Sequence, residues 1–278
     1  MQKKVIWQCR VSPTLGPLEG THQKVWGTKD YLNDKDPTVF MGLYGLPDFY
    51  TLWRHKGIKE VFWCGTDITH FANGYWLEDQ GKLRLSLHSR NDLAIWLSRN
   101  CGHWVENETE RNALWKCGIL ARVQPSFLGD INKFKSSFKS GNKVYASVSG
   151  DNFEQYGWNK IKVLALDYPQ IEFHLYGNKK LPPYEYPSNV YIHGRVSKEI
   201  MNKEITQMQG GLRLIELDGF SEILAKSILM GQYPISSIDY PHMLKVGQIG
   251  EILNKTKPNL IGRDYYRENL NKYPWVTQ

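Results

Sequence analysis

The sequence predicts an α/β protein made of two parallel-sheet units joined by a short basic linker. Three observations carry that prediction. Short apolar runs alternate with longer stretches of helical spacing, a lysine- and serine-rich segment divides the alternation in two, and glycine turns follow the apolar runs. The chain has 278 residues, room for two domains, and its 41% hydrophobic and 13% aromatic content is that of a folded globular protein. No run of about eighteen apolar residues suggests a membrane span.

In the first half, Val5-Ile6-Trp7, Val39 to Tyr44, Val61-Phe62-Trp63, Leu83-Leu85-Leu87 and His103-Trp104-Val105 read as strands, with helices at Asp92 to Asn100 and Glu108 to Cys117. In the second half, Val144 to Val148, Ile171 to Tyr176, Val190-Tyr191-Ile192 and Gly211 to Leu217 read as strands. Helices are expected at Asn159 to Asp167, Lys198 to Gln209, Ser221 to Met230 and Lys245 to Asn254. Between the halves, Lys133, Lys135, Lys139 and Lys143 alternate with Phe134 and Phe138. This segment reads as a solvated linker, with a nucleic-acid or membrane contact as the alternative. Two open α/β units imply a cleft between them, with ligands outside the carboxyl ends of the strands. The turns at Tyr44 to Asp48, Cys64 to Ile68, Tyr176 to Lys179 and His193-Gly194-Arg195 are therefore where function is sought.

Four widely spaced cysteines, Cys9, Cys64, Cys101 and Cys117, form no C-x-x-C pair and argue against a zinc site or a disulfide scaffold. With an N-terminus whose apolar run is broken by Gln8 and Arg10, they suggest a reduced, cytoplasmic protein. The eight histidines are scattered without ligand spacing, so metal-independent chemistry is expected. The net charge of +7 favours an anionic partner. Most informative is the stretch from Leu212 to Gly231, which reads as strand, acidic glycine turn and helix. Gly219 permits close backbone approach, and the helix start near Phe220, Ser221 and Glu222 suits a phosphate.

Val144 to Ser236 resembles the C-terminal half of retaining GT-B glycosyltransferases related to glycogen synthases and bacterial mannosyltransferases. The resemblance rests on Tyr156-Gly157 with Lys160, Pro169 to Phe173 leading to Gly177, Pro187 to Gly194, Asp218-Gly219-Phe220-Ser221 and Met230 to Ile235. In the first half, Trp63 to Ile68 is similar to the family's Gly-Thr-Asp segment, and Val105 to Glu108 with Leu114 and Gly118-Ile119 to its strand and helix before the linker.

The resemblance implies a GT-B architecture of two Rossmann-like domains facing across a cleft. The acceptor-side domain would cover 1–130, with 262–278 as candidates to pack back on it; the linker would be 131–143, and the donor domain 144–261. A nucleotide sugar, UDP-sugar foremost, is the implied donor, and the implied reaction is transfer with retention to an acceptor hydroxyl. Asp218 takes the family's first acidic position and would hold hydroxyls of the transferred sugar, while N–H groups of Gly219, Phe220 and Ser221 would hold the diphosphate. Lys160 would neutralise the leaving phosphate, and loss of such a preorganised group commonly costs roughly 3 kcal/mol of barrier. His193 and Arg195 fall near the family's nucleobase contacts, beside Tyr156, Gly157 and Gly177. The family's second Glu falls on Lys226, which cannot accept from a ribose hydroxyl and has Glu222 one turn earlier as an ion-pair partner. On the acceptor side, Gly45, Asp48, Asp67, His70, His103 and Glu108 are candidates to line the cleft. Asp67 would orient or deprotonate the acceptor, with a helix cap as the alternative. Two acceptors fit, a hydroxylated base in DNA and a carbohydrate or lipid-linked glycan, so DNA or an anionic membrane surface is the expected macromolecular partner. Oligomeric state is left open. Because of Lys226, a GT-B-like protein that binds a nucleotide, sugar or nucleic acid without turnover is the alternative reading.

Overall fold

The computed structural model describes residues 5–16, 21–73, 90–149, 153–179 and 186–276. The chain divides into two compact units. The first comprises Met1–Gly129, Leu217–Gly219 and Asn269–Gln278; the second comprises Asp130–Glu216 and Phe220–Glu268.

The first unit runs β1 (Gln8–Val11), α1 (Thr21–Trp26), β2 (Lys29–Asp30), β3 (Thr38–Met41), α2 (Leu46–Arg54), β4 (Lys59–Phe62), α3 (Thr66–Asn73), α4 (Arg90–Asn100), β5 (Gly102–Val105), α5 (Glu108–Lys116) and β6 (Arg122–Val123). Its described strands form one parallel sheet in the order β2-β1-β3-β4-β5-β6. β3 is buried at all four positions, as a parallel strand covered on both faces must be. Alternation sends Phe40, Val61 and Val105 to one core, with Phe49, Leu52, Ile68, Leu97 and Leu114. It sends Val39, Met41, Phe62 and Trp104 to the other, with Trp26, Tyr273 and Trp275.

The second unit runs β7 (Lys143–Val148), α6 (Trp158–Asp167), β8 (Glu172–Gly177), β9 (Val190–Gly194), α7 (Lys198–Glu204), β10 (Gly210–Arg213), α8 (Glu222–Leu229), β11 (Ile235–Ser236), β12 (Leu244–Lys245) and α9 (Leu260–Asn269). Its described strands form a second parallel sheet, β12-β11-β10-β7-β8-β9. From β7 the strand order runs outward in both directions, so the crevice between β7 and β10 is the switch point where such sheets bind ligands. Val144, Ala146, Val148, Phe173, Leu175 and Leu212 pack with Trp158, Ile161 and Ile249 on one face. Tyr145 and Tyr176 pack with Ile205, Met208 and Ile223 on the other.

Several elements differ from the sequence expectation. The first strand is Gln8–Val11 rather than 5–7; Val5 and Ile6 are 58% and 44% exposed and pair with nothing in the sheet. The turn at Tyr44 to Asp48 opens α2, whose Pro47 sits in the first turn, where a missing N–H costs nothing. The strand expected over 211–217 stops at Arg213. The helix expected over 198–209 is α7 followed by a 3-10 turn at Ile205–Gln207, and 245–254 holds a 3-10 helix at Val246–Asn254. The expected strand at Leu83 to Leu87 lies outside the described residues. Residues 131–143 stay on the surface, none of them buried, but are tied to the second unit. Ser137 N donates to Met230 O at 2.9 Å, Phe138 meets Tyr233 edge-on at 5.7 Å, and Ser140 Oγ donates to Lys255 O at 3.2 Å, all within the second unit.

Candidate active site

In the second unit, the carboxyl ends of β7, β8 and β9 border a half-open cavity of about 380 Å³. Ser147, Ser149, Tyr176, Gly177, Asn178, Arg195, Val196 and Met201 line it. Gly177 makes the closure of this end of the sheet feasible. At φ +115° and with a built Cβ only 2.3 Å from Val148 O, no other residue fits there without moving the backbone. The turn is tied by Asn178 N donating to Val148 O at 2.8 Å. The wall is therefore mostly hydroxyls, an amide and one guanidinium, donors that suit phosphate and sugar oxygens. His193 is not in the cavity wall. It lies behind Tyr176, ring on ring at 4.6 Å and 14°.

Next to this cavity in the fold, the β7–α6 connection ends at Gly157, the left-handed cap of α6, where a Cβ would press on Leu214 at 2.9 Å. Tyr156 stacks under Arg213, whose Cζ is 5.1 Å from the ring centroid. Lys160 gives its ammonium to Glu216 at 2.9 Å in an exposed pair. In α8, Ser221 is the N-cap, with Oγ accepting from Leu224 N at 3.3 Å. Phe220 is buried, stacked on Tyr266 at 5.0 Å and edge-on to Tyr240 at 5.2 Å. Lys226 is buried and paired with Glu222 at 2.9 Å, so the expected i,i+4 pair forms with its lysine end buried.

Leu217–Gly219 groups with the first unit. There Asn107 Nδ2 donates to Asp218 O at 2.7 Å, and the Glu106 carboxylate lies so close to Gly219 that a built Cβ would sit 2.1 Å from Oε2. A carboxylate at that face repels phosphate, so the expectation that Gly219 cradles the diphosphate does not match the local charge. Glu106 Oε1 accepts from Ser126 N at 3.0 Å, and Glu110 Oε2 from Glu106 N at 2.8 Å. Glu110 is fully buried, and that burial, with Glu106 beside it, raises its pKa well above the ordinary carboxylate range.

No family model matches the chain, and no curated protein matches it in sequence. Solved structures do match in shape. The S. aureus protein TarM, solved as a mutant in complex with fondaparinux, alpha-GlcNAc-glycerol and UDP, superposes with a TM-score of 0.52 at 10% identity over 85% of this chain and 52% of its own. The pneumococcal O-GlcNAc transferase GtfA, with UDP and GlcNAc, gives 0.50 at 10% identity over 84% of this chain and 54% of its own. A UDP-forming alpha,alpha-trehalose-phosphate synthase from Burkholderia vietnamiensis gives 0.51 at 9% identity over 86% and 70%. The fold is that of the GT-B glycosyltransferases. This chain spans about half the length of TarM and GtfA.

Placed on this GT-B fold, the acceptor-side candidates separate into buried and exposed groups. Asp67 is fully buried: Oδ2 accepts from Leu43 N at 3.0 Å, and Oδ1 from Cys64 N and Ile68 N at 2.9 Å each. Burial pushes its pKa up to about 6 against the pull of those N–H groups. It ties the loops after β3 and β4 together from within the first turn of α3 and, with no exposed oxygen, offers none to an acceptor hydroxyl. Asp48 is buried as well, its Oδ2 accepting from Ser12 Oγ at 2.7 Å and Tyr44 N at 3.1 Å. His103 accepts from Trp63 Nε1 at 3.2 Å, and burial lowers its pKa to about 4. Gly45 is the extended N-cap of α2. His70 and Glu108 are exposed, the former edge-on to Tyr44 at 6.0 Å and the latter paired with Arg111. Among the described residues no group of three or more His, Cys, Asp or Glu is arranged to hold a metal ion, and no helix is long and apolar enough to cross a membrane.

Sequence reasoning placed Asn178 in a suggestive turn but missed Ser147, Ser149 and Arg213. A serine in an apolar strand carries no signature, but Ser147 and Ser149 flank the end of β7, and that position alone was a usable signal.

Proposed function

We propose that this chain is a glycosyltransferase that draws a sugar from a nucleotide-sugar donor, with the donor's nucleoside diphosphate held in the second-unit cavity. One observation carries the reading: a 380 Å³ polar cavity with a single guanidinium, at the carboxyl ends of β7 to β9 beside the switch point of a parallel sheet. UDP is bound in the TarM and GtfA structures and is the product named for the trehalose-phosphate synthase, which supports UDP-sugar as the donor here.

Chemically, transfer needs charge stabilisation on the leaving diphosphate, and retention needs departure and attack on one face of the sugar. Arg195 supplies the fixed charge in the cavity wall, with Ser147, Ser149 and Asn178 as hydrogen-bond partners. Lys160 is the second candidate, since its exposed pair with Glu216 costs little to break. The acceptor hydroxyl belongs to a hydroxylated base in DNA or to a carbohydrate or lipid-linked glycan, and the +7 charge supports one presented on DNA or an anionic membrane.

A panel of nucleotide sugars tests this. A UDP-sugar should be consumed, and Arg195→Gln should lower kcat/KM by about tenfold or more with an unchanged melting temperature. If no donor is consumed while one still raises the melting temperature, the chain is a catalytically silent binding protein; if none is consumed or bound, the reading fails.

A further inference from the structure

Four rings with near-parallel planes line up across β8 and β9 in the order Tyr191, His174, His193, Tyr176, with centroids 5.0, 5.1 and 4.6 Å apart and planes within 25°; the two imidazoles meet edge to edge. One end, Tyr191, is exposed; the other, Tyr176, is wall of the cavity. A polar chain threads the same residues. Lys143 Nζ lies 3.3 Å from Glu172 Oε2, which lies 3.4 Å from His174 Nε2. His174 Nδ1 and His193 Nε2 are 2.9 Å apart. His193 Nδ1 is 3.8 Å from Glu204 Oε2, and Tyr176 OH donates to that same oxygen at 2.7 Å.

Two of these contacts are within hydrogen-bond reach, Glu172 to His174 and His174 to His193, and the neutral pair with both hydrogens on Nε2 meets both. That pair leaves the lone pair of His193 Nδ1 turned to Glu204 Oε2 at 3.8 Å. One added proton, taken from solvent, puts an N–H there and makes this last contact attractive. A second would force two hydrogens into a 2.9 Å gap.

We propose that His174 and His193 are positioning residues of the nucleotide pocket that act through one shared proton, which completes the chain from Glu172 to Glu204 and sets positive charge behind Tyr176. This rests on the nucleotide reading above. The groups facing the pair are Glu172, with Lys143 behind it, from β8 and β7; Glu204 from the end of α7; and the rings of Tyr176 and Tyr191. Loading the proton fixes Glu204 and the Tyr176 hydroxyl it accepts from, and it attracts the diphosphate. Nucleoside diphosphate binding therefore takes up a proton and tightens as the pH falls. Burial holds His174 below the ordinary imidazole range, against Glu172, so loading occurs on the acid side of neutrality.

Two measurements on the full chain test this. Imidazole NMR of the free protein between pH 8 and pH 5 should show both rings moving in one common step that takes up one proton; two independent one-proton steps overturn the shared-proton claim. Calorimetry with UDP, in buffers of different ionisation enthalpy, should show proton uptake on binding. Affinity should rise about fivefold more between pH 7.5 and 5.5 in the wild type than in His193→Gln, a control that removes the titration of UDP itself. Glu204→Gln, which leaves both rings in place, should flatten the profile in the same way. Identical profiles for wild type and both variants overturn the proposal. A wild type that shows the one-proton step but binds no nucleotide sinks the nucleotide reading and the coupling with it.

Discussion

Asp67 and His103 show how a buried polar residue in the first unit answers to pH, and in which direction. Asp67 has its folded pKa raised to about 6 from 3.8, so the folded state favours the protonated form and the unfolded state ionises first. That contribution reduces stability above pH 6 and is relieved as pH falls toward 4. His103 has its folded pKa lowered to about 4 from 6.5, so its contribution is fully present above pH 6.5 and is lost as pH falls through that range. Each shift is worth about 3 kcal/mol, and over the same window they oppose one another. Asp67→Asn removes only the first. Urea unfolding should show this variant losing about 3 kcal/mol more than wild type between pH 7 and pH 4. At pH 7 the variant has also lost the acceptor for Leu43 N, at a cost of about 1–3 kcal/mol. Equal pH slopes in the two proteins would remove Asp67 as a titrating buried group.

On α8, the element scale decides what Lys226 does. From Ile223 to Leu229 every residue is buried, Ser227 Oγ accepts from Gly211 N at 2.9 Å, and Lys226 reaches only Glu222 at its exposed end. Restoring a carboxylate at this position, where the GT-B resemblance places one, would set it against Glu222 with no cation between them. Lys226→Glu should therefore destabilise by about 3 kcal/mol or more without improving donor affinity, while Lys226→Met, which keeps the volume, should be near neutral. Thermal unfolding of both variants, with UDP binding as the second readout, checks this; tighter binding by Lys226→Glu would return the residue to the donor site. The same helix shows how legibility varies along the chain. Its core spacing and its cap Ser221 were readable because period and cap chemistry are local. The direction in which Lys226 points was not, because it depends on what packs above the helix. Central strands such as β3, β4, β7 and β8 were legible as apolar runs, whereas β2, β6, β11 and β12, each two residues long, need too few ladder bonds to leave a pattern. Of the site, Gly177 and Arg195 stood out as a turn after a strand. Asp67, Asp48 and His103 looked like cleft residues because a polar side chain at a strand end reads alike whether it turns inward or outward.

At the scale of the molecule, the chain does not build its units from contiguous halves. Asn269–Gln278 belongs to the first unit although some 140 residues of mostly second-unit chain precede it. What it supplies there is substantial. Trp275 is fully buried against Trp26 and Trp104, with centroids 5.9 and 5.5 Å away, and Tyr273 packs on Phe62 at 5.6 Å. Asn271, held at φ +59°, accepts from Trp26 Nε1 at 3.3 Å and Phe127 N at 3.0 Å and donates to Phe127 O at 2.8 Å. One face of the first sheet is thus closed by residues that follow the second unit in the chain, and loss of two large buried aromatics costs about 3–5 kcal/mol each. That approaches the whole stability of an ordinary domain. Removal of residues 269–278 should therefore unfold the first unit and leave the second intact, since the second unit's two core clusters contain none of the deleted residues. Limited proteolysis of the truncated chain should yield a resistant fragment that begins near Asp130 and ends near Glu268, with far-UV circular dichroism reduced by about half. A truncated chain that melts in one transition at the wild-type temperature would show that the tail contributes nothing to the first unit's stability. Trp275→Ala in the full chain should give the same ordering of effects at smaller amplitude, with the first unit's tryptophan fluorescence lost before the second unit's signal changes.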